Sequence, residues 1–218
     1  ISPDVGPVAG GTDLMIRGEG FSPSAQGETY CSFAGQRVEA TFESIQSIRC
    51  TAPPRKKVGM VAVQIITDGA YYERSTIYRY GYSSSVAKIY PVAGVRQGST
   101  LVTVYGAGFI GTTMTSCRFG EVAVPARLIT AGQLECTSPL PAVVGYVSVE
   151  VSTNGQDYSS SGVHFEYQQP VAVRALEPSR GPIEGGTFVN VTGSGFSARA
   201  ALLGYVWCRF NSTSVAAA

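Results

Sequence analysis

The chain has 218 residues, of which only 14% are charged, and its 16 Lys and Arg against 15 Asp and Glu leave a formal net charge of +1. That balance provides no electrostatic footprint for nucleic acid or for an anionic membrane. No apolar run approaches the ~20 residues that a membrane-spanning helix needs, so a soluble segment without membrane contact is expected.

From the N-terminus, the first informative stretch is Ile1-x-Pro3-x-x-Gly6, followed by Gly10 and Thr12 and then by Gly18-Glu19-Gly20-Phe21. The same frame returns at Ile89, Pro91, Gly94, Gly98, Thr100 and Gly106-Ala107-Gly108-Phe109. It returns again at Leu176, Pro178, Gly181, Gly185, Thr187 and Gly193-Ser194-Gly195-Phe196, the glycine strings lying 88 and 87 residues apart. A fixed period of that length means tandem copies of one small domain, each long enough for a core of its own. The division that follows is a first repeat over 1–82, a second over 83–169 and an incomplete third over 170–218. Both ends read as cut from a longer chain, because the first copy begins directly at its signature whereas Val86-Ala87-Lys88 precede the second.

Within each copy the pattern is that of strands. Leu14 and Ile16, Val102 and Val104, and Val189 and Val191 take alternate positions ahead of the glycine string and are expected to face a core. A cysteine then recurs two residues before a phenylalanine, in Cys31-Ser32-Phe33, Cys117-Arg118-Phe119 and Cys208-Arg209-Phe210, which puts sulfur and ring on one face of a strand. A second cysteine opens Cys50-Thr51-Ala52-Pro53-Pro54 and Cys136-Thr137-Ser138-Pro139, where proline ends a strand. Val61-Ala62-Val63-Gln64-Ile65 and Val147-Ser148-Val149-Glu150-Val151 alternate strictly. Asp68-Gly69 and Asn154-Gly155 mark tight hairpins before Tyr78-Arg79-Tyr80 and Phe165-Glu166-Tyr167. Nothing reads as helix, and the expectation is an all-β chain of two-sheet sandwiches. The joints, Gly81–Ser85 and Gln168–Pro170, are short enough for a semi-rigid string whose domains stand end to end.

The cysteines bear on the compartment. Cys31 and Cys50 are 19 residues apart, as are Cys117 and Cys136, and both pairs sit at matching points of their repeats. One disulfide per domain is the natural reading, with reduced buried thiols or a zinc site as the alternatives; zinc suffers from two cysteines per copy and one histidine in the whole chain. Closing such a loop adds about 3 kcal/mol in the chain-entropy account. Cys208 is left over; the same spacing puts its partner beyond Ala218, and an intermolecular bridge is the rival. Asn190-Val191-Thr192 and Asn211-Ser212-Thr213 are sequons, and Asn190 faces outward if Val189 and Val191 face in.

Other motifs have bland readings. Gly106-Ala107-Gly108-Phe109-Ile110-Gly111 matches a dinucleotide-binding fingerprint in letters only, since no helix pattern follows and the other copies have Pro23 and Ala198 where the third glycine falls. Arg55-Lys56-Lys57 follows two prolines and reads as a solvated turn, with a polyanion or glycan contact as the alternative. His164 lies between Val163 and Phe165 and so points away from the core, with no nucleophile beside it. Asp4, Asp13, Glu19 and Glu28 lack the spacing of a calcium loop. No catalytic residue, cofactor or metal is expected.

The strings Pro3-x-x-Gly6-Pro7-x-x-Gly10-Gly11-Thr12 with Gly18-x-Gly20-Phe21, and Pro178-x-x-Gly181-Pro182-x-x-Gly185-Gly186-Thr187 with Gly193-x-Gly195-Phe196, resemble the IPT/TIG family of immunoglobulin-like domains. The second copy departs at Gly94-Val95 and Gly98-Ser99-Thr100 and keeps the rest. The resemblance implies tandem immunoglobulin-like sandwiches. Rel-type transcription factors in the family lack regularly placed cysteine pairs and need a basic partner domain, so the disulfide-bearing repeats of plexin-like and Met-like receptor ectodomains and of fibrocystin-like cell-surface proteins are the nearer comparison. The hairpin Asn154-Gly155-Gln156-Asp157-Tyr158 looks most like the fibrocystin-like group. What this implies is a non-enzymatic extracellular or cell-surface segment, a structural or adhesive spacer at a cell, cilium or flagellum surface. Its partners would be other proteins, further copies of the same chain or cell-surface glycoproteins. A signalling-receptor stalk is the alternative, and an accessory module of a polysaccharide-active enzyme is a third class.

Overall fold

The structure is a computed structural model that describes residues 1–22, 29–67, 70–71, 74–141 and 144–217; Glu28 and the Asp68-Gly69 turn lie outside the described residues. The first copy forms β1 (Val5–Pro7), β2 (Asp13–Arg17), β3 (Thr29–Phe33), β4 (Gln36–Ser44), β5 (Ser47–Thr51), β6 (Gly59–Thr67), β7 (Ala70–Tyr71) and β8 (Thr76–Gly81). They pair in the order β1-β8-β6-β3-β4-β5-β2, with β7 on β6. The second copy forms β9 (Ser85–Tyr90), β10 (Ala93–Val95), β11 (Leu101–Ala107), β12 (Ser116–Phe119), β13 (Val122–Thr130), β14 (Gln133–Thr137), β15 (Gly145–Ser152) and β16 (His164–Gln168). Their order, β10-β16-β15-β12-β13-β14-β11-β9, is the same path with an added edge strand.

Each path is one ladder folded over on itself. The first half of β4 pairs β3, Cys31 opposite Val38, and its second half pairs β5, Ala40 opposite Cys50. β13 does the same, with Cys117 opposite Val124 and Ala126 opposite Cys136. One strand thus passes from one sheet of the sandwich to the other, and both faces it lines are apolar on the inside. Only Tyr82, Ser83 and Ser84 separate β8 from β9, so the joint is tighter than the Gly81–Ser85 linker expected from composition.

The cores contain the residues that alternation selects. Leu14, Ile16, Cys31, Phe33, Ile48, Cys50 and Tyr78 are buried in the first. Val102, Val104, Cys117, Phe119, Leu134, Cys136 and Phe165 are buried in the second. Edge-on ring contacts run Phe33–Tyr78–Tyr80 at 5.8 and 4.9 Å, and Phe119–Phe165–Tyr167 at 5.6 and 5.0 Å. The last tyrosine of each row donates its hydroxyl to a proline carbonyl after the second cysteine, Tyr80 to Pro53 and Tyr167 to Pro139, both at 2.8 Å. A buried phenol is thereby satisfied and the turn is tied to the sheet.

The Gly-x-Gly-Phe string has a steric cause. The phenylalanine ring folds back over the first glycine, so that a Cβ on Gly18, Gly106 or Gly193 would lie 2.8, 2.7 or 3.1 Å from the ring of Phe21, Phe109 or Phe196. The second glycine turns the chain with φ of 77°, 76° and 81° at Gly20, Gly108 and Gly195. No phosphate cradle is needed to explain it.

In the third copy β17 (Ala172–Glu177) pairs β18 (Asn190–Ser194), and β19 (Trp207–Phe210) pairs β20 (Thr213–Ala216). Between them stands α1 (Ala198–Leu202), which corrects the expectation that no helix forms. Ser197 caps it by accepting from the Ala200 amide, and Ala198, Arg199, Ala200, Ala201 and Leu202 are all strong helix formers.

Replacing the fully buried Leu134 by Ala is expected to cost about 2–5 kcal/mol, read as a lower urea midpoint for the second sandwich. Burial pushes the Tyr80 phenol up to about 12, with the Arg55 cation opposing, and burial also raises Tyr78 and Tyr167. A raised phenol contributes stability that is full below the unfolded value of about 10 and is lost as pH rises through the folded value. Thermal stability is therefore expected to fall between pH 10 and 12, with ionisation of these rings followed by ultraviolet absorbance; Tyr80→Phe is expected to blunt that fall.

Candidate functional site at the junctions between repeats

Cys31 is bonded to Cys50 and Cys117 to Cys136, with Cα–Cα separations of 6.4 and 6.3 Å. Each bond ties β3 to β5, or β12 to β14, across the sandwich beside the strand that links the two sheets. All four sulfur-bearing residues are buried, so they brace the core and offer no reactive thiol. Cys208 is half-buried on β19, opposite Val215, and is a free cysteine. Asn190 is exposed at the start of β18, between half-buried neighbours. Asn211 is exposed in the turn between β19 and β20, with φ of 53°, and its carbonyl accepts from the Arg209 side chain at 2.8 Å. His164 is exposed on β16 while Phe165 beside it is buried. Arg55 lies over the Tyr80 ring at 5.8 Å, and Lys56 and Lys57 are exposed.

The Asn154-Gly155 position differs from the tight hairpin expected there. β15 ends at Ser152, an isolated bridge joins Ser152 to Tyr158, and β16 starts only at His164. The reason is the asparagine side chain, whose carbonyl accepts the amides of Gln156 at 3.0 Å and Asp157 at 2.8 Å and so closes a turn without a strand partner. The longer return is held by Glu150, a buried carboxylate that accepts from the Ser159 hydroxyl and from the amides of Ser161 and Gly162. Its charge is fully engaged by donors of the loop itself.

That turn reaches the first sandwich. The Asn154 amide nitrogen donates to the Val5 carbonyl at 3.0 Å and to the Asp157 carboxylate at 2.6 Å. The Thr12 hydroxyl donates to the same carboxylate oxygen at 2.6 Å. Gln156 grips the backbone of Asp13 at two points, its Oε1 accepting the amide at 2.6 Å and its Nε2 donating to the carbonyl at 3.1 Å. Nearby, a Cβ on Gly81 would lie 2.7 Å from Ile110 Cδ1, so the end of β8 and the loop after the second glycine string are in contact. Beside the turn runs an open cleft of about 320 Å³, with Pro7, Tyr82 and Ser83 on one side and Thr153, Asp157 and Tyr158 on the other.

The second junction uses different groups. Ser197 donates to the Glu166 carboxylate at 3.0 Å, Arg199 lies over the Tyr146 ring at 5.3 Å, and Tyr205 meets Tyr90 edge-on at 5.8 Å. Of the junction residues the sequence marks Thr12, by its recurrence as Thr100 and Thr187, and the Asn154–Tyr158 string, whereas Ser197, Arg199, Tyr205, Tyr90 and Tyr146 belong to no motif. The arrangement aligns carboxylates with hydroxyls and amides across domain boundaries, which is the chemistry of docking.

The family model of the IPT/TIG domain matches residues 1–82 and 84–167. Mouse plexin-B2 is 26% identical over 202 residues, covering 90% of this chain and 11% of the relative. Mouse fibrocystin-L is 29% identical over 197 residues, covering 90% of this chain and 4% of the relative. The chain thus spans a small fraction of the curated relatives it matches. The solved full extracellular region of plexin A4 superposes with a TM-score of 0.52 at 15% identity, over 98% of this chain and 21% of that one. With two internal disulfides and these relatives, the segment is extracellular or at a cell surface. Two consecutive matches over most of its length make this chain a member of the IPT/TIG domain family.

Proposed function

We propose that this chain is a non-enzymatic structural or adhesive segment in which tandem, disulfide-braced sandwiches act as stiff spacers and present loops and sheet edges to other proteins at a cell, cilium or flagellum surface. The observation that carries this reading is the hydrogen-bonded contact between consecutive repeats across a joint of three residues. We divide it as two complete repeats, 1–82 and 83–169, and part of a third, 170–218. Partners on this reading are proteins, among them further copies of the chain or cell-surface glycoproteins, with no nucleic acid, cofactor or metal. A second reading, the stalk of a plexin-like or Met-like signalling receptor, is favoured by the similarity to plexin-B2.

Coating beads with the chain tests adhesion directly. Clustering of coated beads, or their capture on surfaces bearing cell-surface glycoproteins, is expected for an adhesive spacer. Monodisperse beads on every surface would favour the passive stalk. On secretion from a eukaryotic cell, Asn190 or Asn211 is expected to carry a glycan, read as a mass loss on glycosidase treatment that Asn190→Gln or Asn211→Gln abolishes. Peptide mapping without reduction is expected to recover Cys31 with Cys50 and Cys117 with Cys136. We assign Cys208 to a bridge with a cysteine of a further segment or a second chain, so thiol labelling of the isolated chain is expected at Cys208 alone.

A further inference from the structure

We propose that the Asn154–Asp157 turn is a latch that holds the second repeat on the first in one orientation, and that Gln156 and Asp157 decide which repeats can be joined this way. The proposal rests on the spacer reading above and gives its stiffness a residue-level cause.

The receiving side is nearly independent of sequence. It consists of the Val5 carbonyl, the amide and carbonyl of Asp13, and the Thr12 hydroxyl. Three of the four are main-chain groups, and the fourth is the threonine that recurs as Thr100 and Thr187. The donating side is particular. At the aligned positions of the first copy, Gln156 and Asp157 are replaced by Ala70 and Tyr71, which have neither an amide to grip a backbone nor a carboxylate to accept a hydroxyl. A junction code of this kind lies in the turn of the following repeat, while the surface it meets stays generic.

Burial makes the latch directional. Thr12 is 0% exposed and Asn154 is 1% exposed, so both bring polar groups out of water at the boundary. Asp157 Oδ2 accepts from both, and a shifted or rotated repeat would part the Thr12 hydroxyl from Asp157 and the Asn154 amide from the Val5 carbonyl, leaving buried donors short of a partner. The glycine six residues before each threonine belongs to the same device. A Cβ at Gly6 would collide with the Thr12 hydroxyl and with the hydroxyl of Tyr78, and a Cβ at Gly181 would lie 2.5 Å from Thr187 Oγ1. Glycine leaves the space that the threonine hydroxyl occupies. The three-residue joint keeps turn and surface close, which raises their effective concentration toward the millimolar range, roughly.

The test uses the whole 218-residue chain labelled with ¹⁵N, reading amide exchange at Asp13 and the rotational diffusion of each sandwich from relaxation. The parent chain is expected to show one tumbling time for both sandwiches and a protected Asp13 amide. In Gln156→Ala/Asp157→Ala, exchange at Asp13 is expected to accelerate by about ten-fold or more and the tumbling times to separate. Core amides of β5 and β15 are expected to keep their exchange rates, which shows that both sandwiches remain folded. Thr12→Val is expected to uncouple in the same direction and to add little on top of Asp157→Ala, as a double-mutant cycle requires of direct partners. Independent tumbling of the sandwiches in the parent chain, or full coupling retained in the double variant, would overturn the latch. A latched chain that clusters no beads would remove the adhesive reading alone.

Discussion

β4 and β13 each carry one hydrogen-bond ladder from one sheet of a sandwich to the other, and the disulfide bridges the sheets at the point of crossing. Cys31 lies opposite Val38 and Cys50 opposite Ala40, so the two cysteines flank a single residue of the crossing strand. Val124 and Ala126 repeat the arrangement around Pro125. The crossing brings the sulfur atoms together, and their bond in turn fixes the spacing between the sheets at the centre of the core. The aromatic row of β3 and β8, or of β12 and β16, fills the space beside it, and the tyrosine–proline hydrogen bond then positions the turn after the second cysteine.

Because β1 and β8 lie side by side and the chain leaves directly into β9, the same end of the first sandwich holds its N-terminal strand, the exit of its last strand and the recurring threonine. A following repeat has no choice but to meet that end. At the first joint what it meets is mostly backbone, gripped by an amide and a carboxylate, whereas at the second the receiving groups are the side chains of Glu166, Tyr146 and Tyr90, met by a capped helix with an arginine over a tyrosine.

The cores were legible in the sequence because a half-buried strand writes its inward face at every second residue. Leu14 and Ile16, Val102 and Val104, and the pairs Cys31–Phe33 and Cys117–Phe119 are buried where that period places them, whereas in the third copy Cys208 is only half-buried and Phe210 is exposed. The glycine string was legible as a repeat, although its cause, a ring folded over a glycine, is visible only in three dimensions. The junction was not legible. Asn154-Gly155 has the letters of a two-residue hairpin, yet the asparagine spends its carbonyl on two backbone amides and opens a longer loop. α1 escaped because five residues give almost no periodic signal, although Ser197 ahead of an alanine-rich run is a proper cap. Contacts between domains have no period at all, and neither Gln156 nor Tyr146 differs from any exposed residue until a neighbour is placed against it.

The parallel pairing of β1 with β8, and of β10 with β16, has a mechanical meaning. Tension along the array pulls β1 toward the chain's beginning and β8 toward its end. Since the two strands run in the same direction, these forces slide one along the other, with Val5, Gly6 and Pro7 against Arg79, Tyr80 and Gly81. The ladder is then loaded in shear, all its bonds at once, instead of being unzipped one bond at a time. A tether built from such units resists a steady pull at its ends better than the modest length of those strands would indicate, and it yields more readily to a force that peels a strand from its edge.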